Sequence, residues 1–256
     1  MTPDLPQYSY GKIAAIWAAV ALPMPILAFG VAPVLAARTG LHPGVAIWLL
    51  MILGMAWQFV LSLWLLSREG SGHLPWQQRI WLQSPRDPTS GAARLRLLWW
   101  VLPVILATFV VEVTPLKDLL AAPLAFAIPA LAAVPAPDLS DLATPDFIGA
   151  WWLVGIALIS FAFNYFLGEE LLVRGVLLPR MRGAFGKWDW VANAVLFGSY
   201  HLIRPLMIPS IIVSTLVWAY PARRFRSVWF AVIPHAIEGM VLTVLVLGVV
   251  TGAAFR

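Results

Sequence analysis

Two adjacent carboxylates and an arginine, Glu169, Glu170 and Arg174, stand at the end of a long apolar run, Trp151 to Leu167. An ionised group at a bilayer centre costs on the order of 2.5–3.5 kcal/mol on insertion scales, and such groups usually face a protein interior and work there. Glu170 and Arg174 are spaced i,i+4, so they share a helix face and pair. Glu169 turns roughly 100° away at 3.6 residues per turn, which leaves it free for chemistry. Two histidines, His201 and His235, lie in other apolar runs. A carboxylate out of bulk water is a better base near neutral pH. One imidazole beside it can hold a water, and a second can donate to a developing oxyanion. That set performs peptide hydrolysis without a covalent intermediate. Glu169, His201 and His235 would equally make a catalytic zinc pattern with one open position, although the helix signature H-E-x-x-H is absent.

Composition decides what positions these groups. The 256 residues are 61% hydrophobic and 11% charged. A soluble domain averages about 45–50% apolar and about 25% charged residues. The fold class is therefore all-α, a polytopic helical membrane protein with about seven to eight transmembrane helices. The net charge of +5 marks cytoplasmic loops rather than nucleic-acid binding. The absence of cysteine excludes disulfides, thiolate ligands and a cysteine nucleophile. Met1 to Tyr10 carries Asp4 and no basic cluster, unlike a cleaved signal peptide.

Spans are predicted over 13–37 and 45–66, each longer than the ~20 residues a crossing needs. The loop 67–95 carries Arg68, Arg79, Arg86 and Arg94, with only Glu69 and Asp87 against them. That balance places it in the cytoplasm as a solvated segment without a catalytic role. A third span covers 97–113, with Glu112 at its boundary. The proline-punctuated stretch 119–134 reads as re-entrant or interfacial, or as a short eighth span. Asp138, Asp141 and Asp146 mark an external loop. Further spans cover 147 to the Glu-Glu pair, 188–203, 210–220 and 228–250, with Arg180, Arg182, Lys187, Arg223, Arg224 and Arg226 returning the chain to the cytoplasm. For straight helices, Glu169, His201 and His235 then lie roughly 14–21 Å from their basic boundaries, a common depth. The chain divides into N-terminal transmembrane helices with a basic loop, 1–146, and a helical core, 147–256, that carries the chemistry.

Glu169-Glu170-x-x-x-Arg174, then Phe197-x-x-x-His201, then His235 on the last span resemble the CAAX prenyl endopeptidase-like intramembrane proteases, the CPBP or Abi family. The resemblance covers roughly residues 147–250. It implies Glu169 as catalytic base, His201 as a water-activating group and His235 in the oxyanion hole. Glu170 and Arg174 would support them, and Phe197 would wall the pocket. It also implies a membrane-embedded or lipid-anchored peptide or protein as substrate, with membrane lipids as surroundings. No cofactor is required, although zinc on Glu169, His201 and His235 remains an option. An integral protein of the bacterial inner membrane, its site opening toward the cytoplasm, is the expected setting. One position departs. The family's third motif is HxxxN, and Gly239 stands where the asparagine would be. Loss of one oxyanion donor lowers a rate by about 10²–10³. Asn193, two turns from His201, is a poor substitute, and a straight last helix would leave a small void at Gly239 with room for an asparagine. Two other classes stay open: a non-catalytic interaction or immunity protein of the same fold, and a proton-coupled transporter, against which the lack of an inverted repeat counts.

Overall fold

The computed structural model describes residues 5–70, 74–135 and 139–255. Asp4 and Asp138, read above as parts of the N-terminus and the external loop, lie outside them. The described residues form helices and no strand: α1 (Tyr10–Thr39), α2 (Pro43–Ser67), α3 (Leu95–Val113), α4 (Leu116–Ala127), α5 (Trp152–Arg180), α6 (Asp189–Tyr200), α7 (Pro205–Phe225) and α8 (Trp229–Val250). Among the described residues six of these, α1, α2, α3, α5, α7 and α8, are long and apolar enough to cross a membrane. The chain is an all-α polytopic membrane protein. One expected span is shorter than read, and the stretch read as re-entrant or interfacial is helical. The 188–203 segment is α6, an α-helix of 12 residues, about 18 Å at 1.5 Å per residue against a core of about 30 Å. The 119–134 segment is α4, with Pro123 inside it, followed by a 3-10 turn, Pro129–Ala133.

Local sequence explains the starts and the distortions. Ser9 caps α1 by accepting from the Lys12 N–H. His42 Nδ1 caps α2 at the Gly44 N–H, ahead of Pro43, where a missing proline N–H does no harm. Three stretches wind with the wider π repeat: Ile26–Val31, Phe163–Leu167 and Leu171–Leu177. The first follows Pro23 and Pro25, which cannot donate to a regular ladder. The other two flank Glu169 and Glu170, so α5 is neither straight nor regular where its carboxylates stand, and π-bulges recur at functional sites. Gly168 sits at that break. A Cβ there would lie 2.7 Å from the Phe163 carbonyl oxygen and 2.9 Å from that of Met55, so glycine lets α5 approach the backbone of α2.

The largest core cluster joins α1, α2, the C-terminal half of α5 and α6 through residues such as Ile13, Met55, Leu172 and Phe197. A second cluster at the other end joins α2, α5 and α8 through Val45, Trp48, Leu153 and Val250. Tryptophan N–H groups bridge helices where they are buried: Trp48 to Ser160 at 3.0 Å and Trp218 to Thr108 at 2.7 Å.

The basic loop is not solvated throughout. Ile80 is 2% exposed, and Val228 N–H donates to the Trp81 carbonyl at 3.0 Å. Glu69 explains the tuck. Its two oxygens receive Arg180 Nε and Nη2 at 2.5 and 2.7 Å, and further bonds come from Tyr8 and Arg79. Arg180 is fully buried at the end of α5 and also donates to the Arg79 and Val176 carbonyls. This latch fastens the N-terminus and the loop to the helix that carries Glu169. Burial alone would raise the Glu69 pKa, but the Arg180, Tyr8 and Arg79 bonds outweigh it and the pKa is lowered.

Glu69→Gln is expected to lower the thermal unfolding temperature in detergent, because breaking a buried ion pair costs about 3–5 kcal/mol. For a carboxyl lowered by folding, the stabilisation is present above its unfolded pKa and is lost as pH falls through the folded one. Wild-type stability should therefore drop in acid, and the variant should lose that part of the pH dependence. An unchanged unfolding profile would refute the latch.

Candidate active site

The site lies between α5, α6, α7 and α8. Glu169 and Glu170 follow directly on the Gly168 break, with exposures of 4% and 1%. Arg174 Nη1 donates to Glu170 Oε1 at 3.2 Å, both side chains fully buried. The i,i+4 pair read from the sequence is thus present within a π-wound turn. It does not stand alone. His235 Nδ1 meets the same Glu170 oxygen at 2.9 Å, and His235 Nε2 lies 3.7 Å from Glu169 Oε2. One imidazole therefore spans both glutamates. Each of its ring nitrogens faces a carboxylate oxygen, an arrangement that two N–H donors satisfy.

Arg174 spends one N–H on Glu170; its Nε and Nη2 are buried without hydrogen-bond partners among the described residues. Aromatic faces compensate. The guanidinium lies 4.2 Å from the Phe197 ring centre and 5.7 Å from that of Trp218, and desolvated contacts of this kind are worth about 2 kcal/mol. Phe197 is therefore more than a pocket wall. It stacks under Arg174 and also meets His201 and His235 edge-on, at 5.0 and 6.2 Å between ring centres.

His201 arrives differently from the expectation of a mid-helix residue. It caps the C-terminus of α6, half-buried, with Nδ1 bonded to the Phe197 carbonyl at 3.0 Å. That bond makes Nδ1 the donor and leaves Nε2 as the lone-pair nitrogen. No direct bond joins His201 to Glu169 among the described residues. Tyr200 lies beside His201, ring centres 5.0 Å apart, and its hydroxyl donates to Met55 Sδ at 3.6 Å. Asn193 is committed elsewhere, donating to the Val173 carbonyl at 2.8 Å and so tying α6 to α5. Glu112 accepts from Ser214 at 3.4 Å, while Glu238 is exposed on α8.

Gly239 corrects the sequence reading most. The expected void is filled: a Cβ there would lie 2.1 Å from the Tyr165 ring and 2.8 Å from Phe161. Tyr165 packs edge-on against His235, ring centres 4.7 Å apart, and its hydroxyl makes no hydrogen bond among the described residues. Sequence reasoning missed Tyr165, Tyr200 and Gln58. The Tyr200 hydroxyl accepts from Gln58 Nε2 of α2 at 2.8 Å. Two signals were present: Tyr165 precedes Glu169 by four residues, and Gln58 is the sole amide in a hydrophobic span.

A metal fits this arrangement poorly. Among the described residues no group of three or more histidine and carboxylate side chains is gathered as a ligand set. Both His235 nitrogens face glutamates and His201 Nδ1 is held by a backbone carbonyl, so no step is routed through zinc.

Residues 149–241 match the family described as Type II CAAX prenyl endopeptidase Rce1-like. The match supports the CAAX protease-like family and takes in Glu169, Glu170, Arg174, Phe197, His201, His235 and Gly239. No curated protein and no solved structure matches the chain significantly.

Gly239→Asn is expected to destabilise the protein, since overpacking a filled site costs about 1–3 kcal/mol. Thermal unfolding of the purified variant measures it. A variant as stable as wild type would show that Tyr165 moves aside freely.

Proposed function

We propose that this chain, CAAX protease-like over residues 149–241, is an intramembrane endopeptidase that hydrolyses a peptide bond of a membrane-associated or lipid-modified protein. The observation that carries the reading is His235 held between Glu169 and Glu170. Glu169 takes a proton from water as the water oxygen attacks the scissile carbonyl carbon. His201 accepts a hydrogen bond from that water through Nε2, the nitrogen its backbone bond leaves free. His235, oriented by Glu170, donates to the oxyanion. When the intermediate collapses, the carbon–nitrogen bond breaks and Glu169 returns its proton to the leaving amine.

Tyr165 takes the place of the missing asparagine donor. Gly239 admits its ring beside His235, and its hydroxyl has no other hydrogen-bond partner among the described residues. A slot filled by a donor-bearing side chain fits catalysis better than a decayed site, which favours the enzyme over the interaction protein. The basic ends of the helices support the reading of a site that opens toward the cytoplasm, in a bacterial inner membrane.

Glu169→Gln is expected to abolish cleavage of tagged membrane peptides, read by mass spectrometry in detergent, with folding preserved. Turnover equal to wild type would remove this mechanism. Glu170→Gln is expected to lose about 3–5 kcal/mol of stability, because buried Arg174 keeps its charge without its counter-ion. A stable but inactive Glu170→Gln would exchange the roles of the two glutamates.

Tyr165→Phe should lower kcat by about 10²–10³ with little change in KM, the loss typical of one oxyanion donor. Full activity would return the oxyanion role to His235 alone.

A further inference from the structure

On the basic face, away from the glutamates, lies an open basin of about 1080 Å³. Among the segments that line it are the loop 83–91, the turn after α5, and the end of α7. They bring five guanidinium groups together, those of Arg86, Arg182, Arg223, Arg224 and Arg226. Two arginines at the end of α7 suit its helix dipole. Arg86 and Arg182 come from elsewhere, so the dipole does not explain the gathering.

Two carboxylates share the basin, Asp87 and Asp189, and both are already engaged. Asp189 receives Arg223 Nε on its two oxygens at 2.9 and 3.1 Å. Asp87 closes its own turn by accepting the Thr89 and Ser90 N–H groups. Arg86 donates only to neutral acceptors, Gly91 O and Gln83 Oε1. The guanidinium groups of Arg182 and Arg224 make no ion pair or hydrogen bond with the side chains or backbone of the described residues. Burial first, and then Arg86, Arg223 and Arg182, disfavour the charge on Arg226. The concavity thus collects like charges that the described residues leave largely unneutralised.

We propose that this basin binds a phosphate-bearing anion. Planar guanidinium forks match phosphate oxygens in pairs, and several forks converging on one hollow suit a group that carries more than one negative oxygen. The basin lies at the ends of the spans Trp152–Arg180 and Pro205–Phe225, the level of lipid headgroups. Basic pockets between helices on the cytoplasmic side hold anionic headgroups. The volume admits a headgroup with its glycerol as readily as free phosphate. The site does not depend on the peptidase reading.

The test uses the full chain and two charge-matched double variants. Arg182→Gln with Arg224→Gln removes two of the five basin charges, at exposed positions. Arg68→Gln with Lys187→Gln removes the same charge from exposed positions outside it. Native mass spectrometry measures binding in three arms: cardiolipin, phosphatidylglycerol and inorganic pyrophosphate. The basin variant is expected to bind about thirtyfold more weakly than wild type, while the control variant stays near wild type. Binding confined to the lipid arms identifies a headgroup site, and comparable binding of pyrophosphate identifies a free phosphate. Equal weakening in both variants would reduce the basin to diffuse surface charge. Absence of wild-type binding in all three arms would equally overturn the proposal.

Discussion

A guanidinium with no access to water has to be neutralised by its neighbours, and Arg174 sets that constraint for the whole bundle. Its charge is met by Glu170 at 3.2 Å and by the faces of Phe197 and Trp218. Glu170 in turn holds His235, which reaches Glu169. The two carboxylates, the guanidinium and the imidazole are balanced only as a set. Each comes to the set from a defined helix: α5 supplies three, α8 the histidine, α6 and α7 the aromatic faces. Losing any one leaves a charge buried without its partner, which is more expensive than losing an exposed ion pair. The arrangement also explains why one imidazole is shared between two carboxylates rather than paired with one.

Helical regularity is given up to build that set. α5 winds with a π repeat on both sides of the glutamates and breaks at Gly168, where it touches the backbone of α2. Through that approach α2 contributes Gln58 and Met55 to the Tyr200 hydroxyl. A helix that carries no recognisable motif thus holds α6 at the residue before His201. α6 ends at His201 rather than continuing, and the end of the helix is what turns the Phe197 carbonyl toward His201 Nδ1.

The basic side of the molecule uses charge in two ways. At Glu69 the arginines are paired, buried and structural, fastening the loop beneath α5. In the basin they are gathered with few acceptors. The same residue type therefore serves as a latch where carboxylates match it and as an anion receptor where it outnumbers them.

The sequence by itself determined the membrane character, most of the spans, the basic face and the residues to watch, because hydropathy and i,i+4 spacing are local properties. Glu169, Glu170, Arg174, His201 and His235 stood out that way as ionisable groups in apolar runs, and Phe197 through the family resemblance. Tertiary structure decided what each one touches. The bond from His235 to Glu170 joins residues 65 positions apart, and no periodicity encodes it. Gly239 looked like an empty place, since a glycine in sequence shows only a missing side chain. Whether a neighbour fills that space depends on how α5 and α8 pack, and there Tyr165 fills it. The 12 residues of α6 were read as a span because apolarity alone does not show where a helix stops. The loop was read as solvated because its arginines were counted as charges, whereas Glu69 lies where it can bury Arg180.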